Sequence, residues 1–197
     1  MVRPNETSGF FKNDGMQVTT LDECNYVQIK LDGNHARHAC AYMLVSSSQY
    51  IDIIKYKWYL GKNGYPVTYQ TVDNTEKFGV GIKLHRMLLG FRAWIENGGE
   101  SGLVIDHINR NKLDNRLENL RICTAKENSY NTTRRNKDDG KYKGVKKQGK
   151  SGKWTAIISK DGNKHEIRDI PTEKEAAQIY DLLAENLFGD YAGKNFN

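Results

Sequence analysis

The amino-acid sequence predicts an α+β protein. Mixed β-strands and a strand–strand–helix segment make up the N-terminal part, and a small three-stranded antiparallel sheet packs on one helix at the C-terminal end. Three observations support this fold class. Short apolar runs separated by turn sequences fill the first half of the chain. A polar segment at 103–130 has the order strand, loop, short strand, helix. Near the C-terminus, three alternating runs precede one amphipathic helical pattern.

The first elements are a small hairpin and a short helix. Residues 26–31 and 39–45 flank the turn sequence Asp32-Gly33, which predicts two paired strands. The segment 50–60 predicts a short helix that leads into a strand. A glycine-rich turn then connects this strand to a partner strand at 65–69.

A second apolar stretch, 81–91, is interrupted by His85 and Arg86. An arginine can hold a phosphate through two parallel hydrogen bonds. His85 has two interpretations that the sequence leaves open. It either contacts a phosphate or the residues of an active site, or it is a hydrogen-bonded histidine of the core.

The segment from Asp106 to Asn128 carries the residues of a candidate hydrolytic site. Asp106 and Asn128 offer a carboxylate and an amide oxygen, which suit an Mg²⁺ ion that keeps much of its water. His107 can deprotonate a water, because its ordinary pKa lies close to neutral pH. Asn119 offers an amide oxygen that can hold the other ring nitrogen. Thr124 begins a capping box, so a helix follows the second strand.

One geometric condition limits this interpretation. Neighbouring residues on a regular strand point to opposite faces. Asp106 and His107 therefore share one site only if the strand ends or bends at this point. A polar loop begins directly after them, which satisfies the condition.

This segment resembles the HNH nucleases, the ββα-metal finger enzymes, in their phage and intron-encoded branch. The matching positions are Asp106-His107, Asn119 within AsnLeuArg, and Asn128 within LysGluAsn. The resemblance implies Asp106 and Asn128 as metal ligands, His107 as general base and Asn119 as its orienting partner. Because only two good oxygen ligands are present, we expect one Mg²⁺ or Mn²⁺ ion per active site, and the spacing of the cysteines predicts no zinc. A polar surface loop with one histidine is the alternative.

The C-terminal residues predict a separate sheet and helix. Alternating runs at 142–146, 154–158 and 165–170 are separated by turn sequences. Thr172 begins a capping box, and Gly189 stands where a glycine commonly follows a helix. We expect three strands backed by one helix.

This C-terminal part resembles the plant ethylene-response-factor (APETALA-type) DNA-binding domain, which is a known companion of HNH nucleases. The matching residues are TyrLysGlyVal at 142–145, LysTrpThrAla at 153–156, ThrGluLysGluAlaAla at 172–177, Tyr180-Asp181, Phe188-Gly189 and Asn195-Phe196. The resemblance implies a sheet that lies in the DNA major groove. Ile158 and Ile167-Arg168 depart from the pattern, so the base-reading set stays open. The candidate DNA-binding residues are Arg134, Arg135, Lys143, Lys146, Lys147, Trp154 and Lys160. For Trp154, packing against the helix is the alternative.

Positive charge is concentrated in one part of the chain. The net charge is +6, but residues 134–168 hold 12 Lys and Arg against 4 Asp and Glu, a surplus of eight. The remainder, 18 against 20, is slightly acidic. Such a basic block is typical of phosphate-backbone binding. On charge alone, a solvated surface explains it equally well.

The composition indicates the class of protein and the redox environment in which it works. Hydrophobic residues are 38% and charged residues 27%, as in a soluble globular protein. The cysteines Cys24, Cys40 and Cys123 have no CxxC spacing, which disfavours a structural zinc site and favours a reducing compartment. No apolar run approaches the roughly 18 residues of a membrane span. We expect a cytoplasmic protein without membrane contact. The resemblance to HNH nucleases implies that a phage or mobile element encodes it.

The predicted function is site-specific cleavage of double-stranded DNA by a homing or phage type endonuclease, as a monomer or a homodimer. Its predicted parts are a nuclease domain at 1–130, a basic linker at 131–141 and a DNA-binding domain at 142–197. Two alternatives stay open. One is a DNA-binding regulator with an inactive nuclease finger, and the other is an RNA-binding or structural protein, which only the charge supports.

Overall fold

The computed structural model describes residues 18–20, 25–31, 41–96, 102–132 and 141–196. The chain divides into two compact units, Met1–Ile122 and Cys123–Asn197. This division comes earlier in the chain than the predicted end of the nuclease domain at 130. The candidate residues Arg134 and Arg135, with most of the predicted linker, lie outside the described residues.

The N-terminal sheet of the first unit has four strands. In spatial order they are β1 (Val18–Thr20), β2 (Tyr26–Lys30), β3 (Tyr42–Ser46) and β8 (Asp114–Asn115). β2 and β3 are antiparallel with Ile29 opposite Met43, which confirms the predicted hairpin. β8 comes from the polar loop of the candidate site and lies parallel to β3.

Alternation along β2 and β3 builds the core of the first unit. Val27 and Ile29 of β2 are buried, as are Met43 and Val45 of β3. Trp58 packs in the same cluster, and its indole nitrogen donates to a backbone carbonyl at 2.9 Å. Each fully buried side chain of this kind contributes about 1.5–3 kcal/mol. The polar loop therefore pairs with a strand of a well-buried sheet.

A second sheet follows in the first unit. Its elements, in chain order, are α1 (Tyr50–Ile53), β4 (Tyr59–Leu60), β5 (Pro66–Gln70), β6 (Lys77–Lys83) and α2 (Leu84–Glu96). β4, β5 and β6 form an antiparallel sheet in that order. These elements confirm the prediction for residues 50–69. The helix α2 was not predicted, because the apolar run at 81–91 crosses the junction between β6 and α2. His85 therefore lies in the first turn of a helix.

The candidate site lies on a two-stranded sheet followed by a helix. Its elements are β7 (Leu103–His107), β9 (Leu120–Thr124) and α3 (Ala125–Tyr130). The hydroxyl of Thr124 accepts from the backbone N–H of Glu127 at 3.1 Å, and the carboxylate of Glu127 accepts from the backbone N–H of Thr124 at 2.8 Å. This capping box confirms the predicted order of strand, loop, strand and helix.

The second unit contains a three-stranded antiparallel sheet and one long helix. Its elements are β10 (Val145–Lys147), β11 (Trp154–Lys160), β12 (Asn163–Ile170) and α4 (Glu173–Phe188). α4 begins after the capping residue Thr172 and ends at Phe188, directly before Gly189, whose φ is +56°. The predicted sheet and helix are confirmed. None of the described helices is long and apolar enough to span a membrane.

The packing of α4 on the sheet depends on one glycine. Ala156 and Ile158 of β11 are buried with Ala176 and Tyr180 of α4. Gly144, which precedes β10, has φ +68°, and a Cβ there would lie 2.0 Å from the Tyr180 ring. A glycine is therefore required where Tyr180 crosses the start of the sheet.

A buried carboxylate fixes the C-terminal tail. Asp181 of α4 accepts from the backbone N–H groups of Asn195 at 2.7 Å and Phe196 at 2.9 Å. The side-chain oxygen of Asn195 in turn accepts from the backbone N–H of Lys143 at 2.6 Å. These contacts join the tail to α4 and to the segment before β10, which gives a structural role to the Asn195-Phe196 pair.

Candidate active site

His107 is the last residue of β7 and is 4% exposed. Its ring Nε2 lies 3.2 Å from the side-chain oxygen of Asn115. The amide nitrogen of Asn115 donates to the backbone oxygen of Lys112 at 3.2 Å, so the amide oxygen faces the ring. Because an amide oxygen only accepts, Nε2 carries the proton and Nδ1 is the basic nitrogen.

The surroundings keep His107 neutral. Burial lowers the pKa of His107 below its ordinary 6.5. The hydrogen bond that the ring donates to Asn115 and the negative charges of Asp106 and Asp114 oppose this effect without reversing it. A neutral imidazole can accept a proton at neutral pH, which is the state that a general base requires.

Asp106 and His107 are both buried, but their side chains have different partners. One carboxylate oxygen of Asp106 accepts from Arg121 at 3.0 Å and 2.6 Å, through Nε and Nη2. Arg121 lies on β9, the strand that pairs with β7. No local pattern predicts this arginine, because its partner lies across the sheet rather than nearby in the chain.

A charged pair holds the loop between the two strands. Asp114, 2% exposed, accepts from Nε and Nη2 of Arg116 at 2.8 Å and 2.7 Å. The amide of Asn109 donates to the same carboxylate at 2.7 Å. Burial raises the pKa of Asp114, but the bonds from Arg116 and Asn109 outweigh it and leave this pKa below its usual value. The loop is therefore closed around an ionised carboxylate.

Asn119 also acts on the loop. Its side-chain oxygen accepts from the backbone N–H of Asn109 at 2.9 Å. Its amide nitrogen donates to the side-chain oxygen of Asn109 at 3.0 Å and to the backbone oxygen of Asp114 at 2.7 Å. The contact with the His107 ring that we predicted for Asn119 is made by Asn115. A role for Asn119 in catalysis stays a prediction, and its bonds indicate that it shapes the loop.

The N-terminal sheet positions this loop. Leu44 of β3 donates its backbone N–H to Leu113 at 2.8 Å. The hydroxyl of Ser46 accepts from the backbone N–H of Leu117 at 2.9 Å. Asn115 lies between these anchors, on β8. The first strands of the chain, for which the sequence offered no role, therefore hold the residue that orients His107.

Two aromatic side chains complete the surroundings of His107. The rings of His85 and His107 are 5.2 Å apart and nearly perpendicular. The Tyr65 ring lies 4.8 Å from His85 and 5.9 Å from His107. His85 is 5% exposed, and its Nδ1 is buried without a hydrogen-bond partner. Its place beside His107 favours the active-site interpretation of His85 over a hydrogen-bonded core histidine.

His85 is neutral at physiological pH. Burial is the main cause that lowers the pKa of His85 to about 3. The charges of Lys83 and Arg86 add to this effect, as does His107, which would repel a second positive charge once it is protonated. Arg86 itself is exposed, and phosphate binding by it stays a prediction.

Comparison with known proteins gives the family. The family model described as HNH endonuclease matches residues 91–130, which include β7, the loop, β9 and α3. An uncharacterized HNH endonuclease of Acanthamoeba polyphaga mimivirus is 42% identical over 155 residues, covering 78% of this chain and 74% of that protein. This chain belongs to the HNH endonuclease family. Protein 3.8 of Escherichia phage T7 is 32% identical over 91 residues, covering 46% of this chain and 74% of that protein. No solved structure matches.

Membership of the HNH endonuclease family indicates a nuclease that acts on DNA. HNH enzymes typically use a divalent metal ion. In the described parts of the chain, no three His, Cys, Asp or Glu side chains converge on a point that could hold a metal. The buried carboxylate of Asp106 fits a hard divalent cation in its donor chemistry, and such a cation would share the carboxylate with Arg121. Asn128 lies in α3, in the second unit, and its role as a ligand stays a prediction.

The sheet of the second unit carries a basic groove of about 480 Å³ on the face away from α4. Among the residues that line it are Lys146, Lys147, Thr155, Lys164, Glu166 and Arg168. Lys146 and Lys147 are exposed on β10. Lys164 and Arg168 both form ion pairs with Glu166. The sequence analysis missed Lys164 and Arg168, although the alternation of β12 places them on the same face.

Three other candidate residues lie elsewhere in the second unit. The ammonium of Lys143 donates to the backbone oxygens of Tyr130 and Gly193, at 2.9 Å and 3.2 Å. That of Lys160 donates to the backbone oxygen of Leu187 at 2.6 Å. Trp154 packs against the core. Alternation along β11 could have placed Trp154 and Lys160 on the α4 side. Their DNA contacts stay predictions that these structural bonds do not support.

Proposed function

We propose that this protein is a site-specific DNA endonuclease of the homing or phage type, with His107 as the general base. The observation that carries the proposal is the oriented His107 ring. A buried, neutral imidazole is fixed by Asn115 so that Nδ1 is basic, next to the carboxylate of Asp106 in the chain. The viral relatives are consistent with a phage or viral origin.

The proposed reaction is hydrolysis of one phosphodiester bond. Nδ1 of His107 accepts a proton from a water, whose oxygen attacks phosphorus, and the bond between phosphorus and the leaving oxygen breaks. Asn115 keeps the proton on Nε2 throughout, and it stabilises the imidazolium that forms. A divalent cation bound by Asp106 and Asn128, as the HNH motif implies, would polarise the phosphate and stabilise the leaving oxygen. The leaving oxygen then takes a proton from solvent.

We propose that the C-terminal sheet recognises the target DNA sequence. Its resemblance to the ethylene-response-factor domain supports insertion of the sheet into the major groove. Lys146 and Lys147, together with Lys164 and Arg168, give the open face the positive charge that phosphates attract. Sequence preference must come from contacts with base edges. An HNH motif that binds one phosphate does not make such contacts. We propose that cleavage and recognition belong to different units of the chain.

The test is a cleavage assay on a random DNA library with Mg²⁺ or Mn²⁺, followed by sequencing of the cut ends. We expect cuts at a preferred sequence, and we expect His107→Ala to bind the same DNA with unchanged affinity and not to cut it. The same assay shows whether one strand or both are cut, and so whether a monomer or a homodimer acts.

Two outcomes would contradict the proposal. If the wild-type protein binds a defined site without nicking or cutting it, the protein is a DNA-binding regulator with an inactive finger. If His107→Ala cuts as fast as wild type, His107 is not the base.

A further inference from the structure

A groove of about 580 Å³ lies on the sheet formed by β4, β5 and β6 in the first unit. Its lining includes three tyrosines, two lysines and one asparagine: Tyr59, Tyr65, Tyr69, Lys62, Lys83 and Asn63. No acidic side chain is among the described residues that line it. A groove that combines aromatic rings with uncompensated lysines is typical of surfaces that bind single nucleic-acid strands.

The tyrosines present an open ring surface. The rings of Tyr59 and Tyr69 are 6.2 Å apart and inclined by 55°. Tyr69 is 48% exposed, so a large part of it faces solvent. A Cβ on Gly81 would lie 2.8 Å from the Tyr69 ring, so this glycine allows the ring to lie directly on β6. The ring is thereby supported on one side and accessible on the other, as a stacking surface requires.

Tyr65 connects the groove with the catalytic histidine. Its ring lines the groove and lies 5.9 Å from the His107 ring. The ammonium groups of Lys83 and Lys112 lie 4.6 Å and 4.7 Å from the centre of the same Tyr65 ring. Two positive charges therefore lie at the end of the groove nearest His107. They would attract the phosphates of a DNA strand that runs from the groove to His107.

We propose that this groove holds the nucleotide next to the scissile phosphate, with its base stacked on Tyr69 and Tyr59 and its phosphate near Lys62 and Lys83. The inference rests on the proposed DNA cleavage and adds a second contact with the substrate, in the first unit. The volume is that of a site for a small organic ligand, which corresponds to about one nucleotide.

The first experiment locates the contact without relying on activity. The full-length protein is mixed in EDTA with DNA of its preferred binding site that carries 5-iododeoxyuridine at successive positions, irradiated, and analysed by mass spectrometry. We expect a crosslink to a peptide containing Tyr59 or Tyr69 from one position next to the cut, and its loss in Tyr69→Ala. Crosslinks confined to the second unit at every position would overturn the proposal.

The second experiment separates stacking from structural effects. We expect Tyr69→Ala to raise KM for cleavage about tenfold with kcat within twofold of wild type, and Tyr69→Phe to behave as wild type. Lys83→Gln should also raise KM several-fold. Lys55→Gln, an exposed lysine of the same unit outside the groove, is the matched control. Equal KM values for Tyr69→Ala and wild type contradict the proposal.

The two proposals can fail separately. If the wild-type protein cuts DNA but the Tyr69 and Lys83 variants behave like wild type and no crosslink forms in the groove, only the groove assignment is wrong. If the crosslink to Tyr59 or Tyr69 forms but no divalent metal ion supports cutting, the groove binds DNA and the endonuclease proposal is wrong.

Discussion

Polar side chains are buried around His107 in the first unit and exposed on the sheet of the second unit. Around His107, polar groups are buried and bonded to one another: Asp114, Asn115 and Asn119 are each no more than 6% exposed, and each has a defined partner. On the sheet of the second unit, the charges stay in water. Lys164 and Arg168 have side chains that are 56% and 69% exposed, and their shared partner is a single carboxylate.

This difference matches what each surface is proposed to do. A general base needs one tautomer and one orientation, which only fixed partners provide. A surface that follows a phosphate backbone needs positive potential, and exposed lysines supply it without a fixed geometry. Substitutions around His107 should therefore change reaction rates, and substitutions on the sheet of the second unit should change DNA affinity and its salt dependence.

Among variants that keep His107, the largest effect is expected from substituting the amide that orients its ring. Asn115→Leu removes the acceptor of Nε2–H, so the ring loses its fixed tautomer. We expect kcat to fall on the order of 100-fold, the lower end of what general bases contribute, with DNA affinity unchanged. Single-turnover cleavage and a binding titration measure the two quantities.

The control for this variant is Asn25→Leu, an exposed amide in the same unit that lies outside both the His107 network and the proposed groove. A kcat for Asn115→Leu equal to that of the control would show that Asn115 does not orient the base.

The second largest effect concerns the core of the second unit. Gly144→Ala places a methyl group 2.0 Å from the Tyr180 ring, so the helix or the sheet must move. We expect the free energy of unfolding of this unit to fall by about 2–4 kcal/mol, as measured by denaturant titration.

Gly162→Ala is the matched control, because Gly162 also has positive φ, +83°, but no atom lies within 4 Å of its Cβ position. It should lose only about 1 kcal/mol, the cost of the backbone strain. Equal losses in both variants would mean that contact with Tyr180 is not the cause.

On the open sheet face, Lys146→Gln combined with Lys147→Gln should weaken DNA binding at a fixed salt concentration. We expect the slope of log K against log salt to fall in magnitude by about two, one for each lost phosphate contact. kcat at saturating DNA should not change. Lys174→Gln, an exposed lysine on α4, is the control and should leave the slope as in wild type. An unchanged slope in the double variant would remove both lysines from the interface.

The smallest effect is an acid sensitivity due to His85. Its pKa is about 3 in the folded protein and about 6.5 in the unfolded chain, so the unfolded chain binds the proton first. Above pH about 6.5, proton binding by His85 does not reduce the free energy of unfolding. Below that pH the unfolded chain takes up the proton, so the free energy of unfolding falls. We expect His85→Phe to lose up to about 2 kcal/mol less stability than wild type between pH 7 and pH 5.

Denaturant titrations at both pH values measure this difference. His165→Phe, a histidine exposed on β12, is the control and should follow wild type. If His85→Phe loses as much stability as the control, burial of His85 does not destabilise the protein at acid pH.

The sequence by itself determined the local elements. Alternating residues predicted the hairpin of β2 and β3, and capping boxes at Thr124 and Thr172 predicted where α3 and α4 begin. These features depend on neighbours within a few residues, so the chain order contains them. The Asp106-His107 pair likewise identified the family, because its spacing to Asn119 and Asn128 is a property of the sequence.

Only the tertiary structure decided which side chains meet. Asn115 contacts His107 and Asn119 bonds to Asn109 and Asp114, because pairing of β8 with β3 fixes the loop that carries both amides. Lys160 bonds to a carbonyl of α4 rather than facing the open groove, because α4 covers one side of the sheet. Such contacts join residues far apart in the chain. They depend on how sheets and helices pack, which no short stretch of sequence specifies.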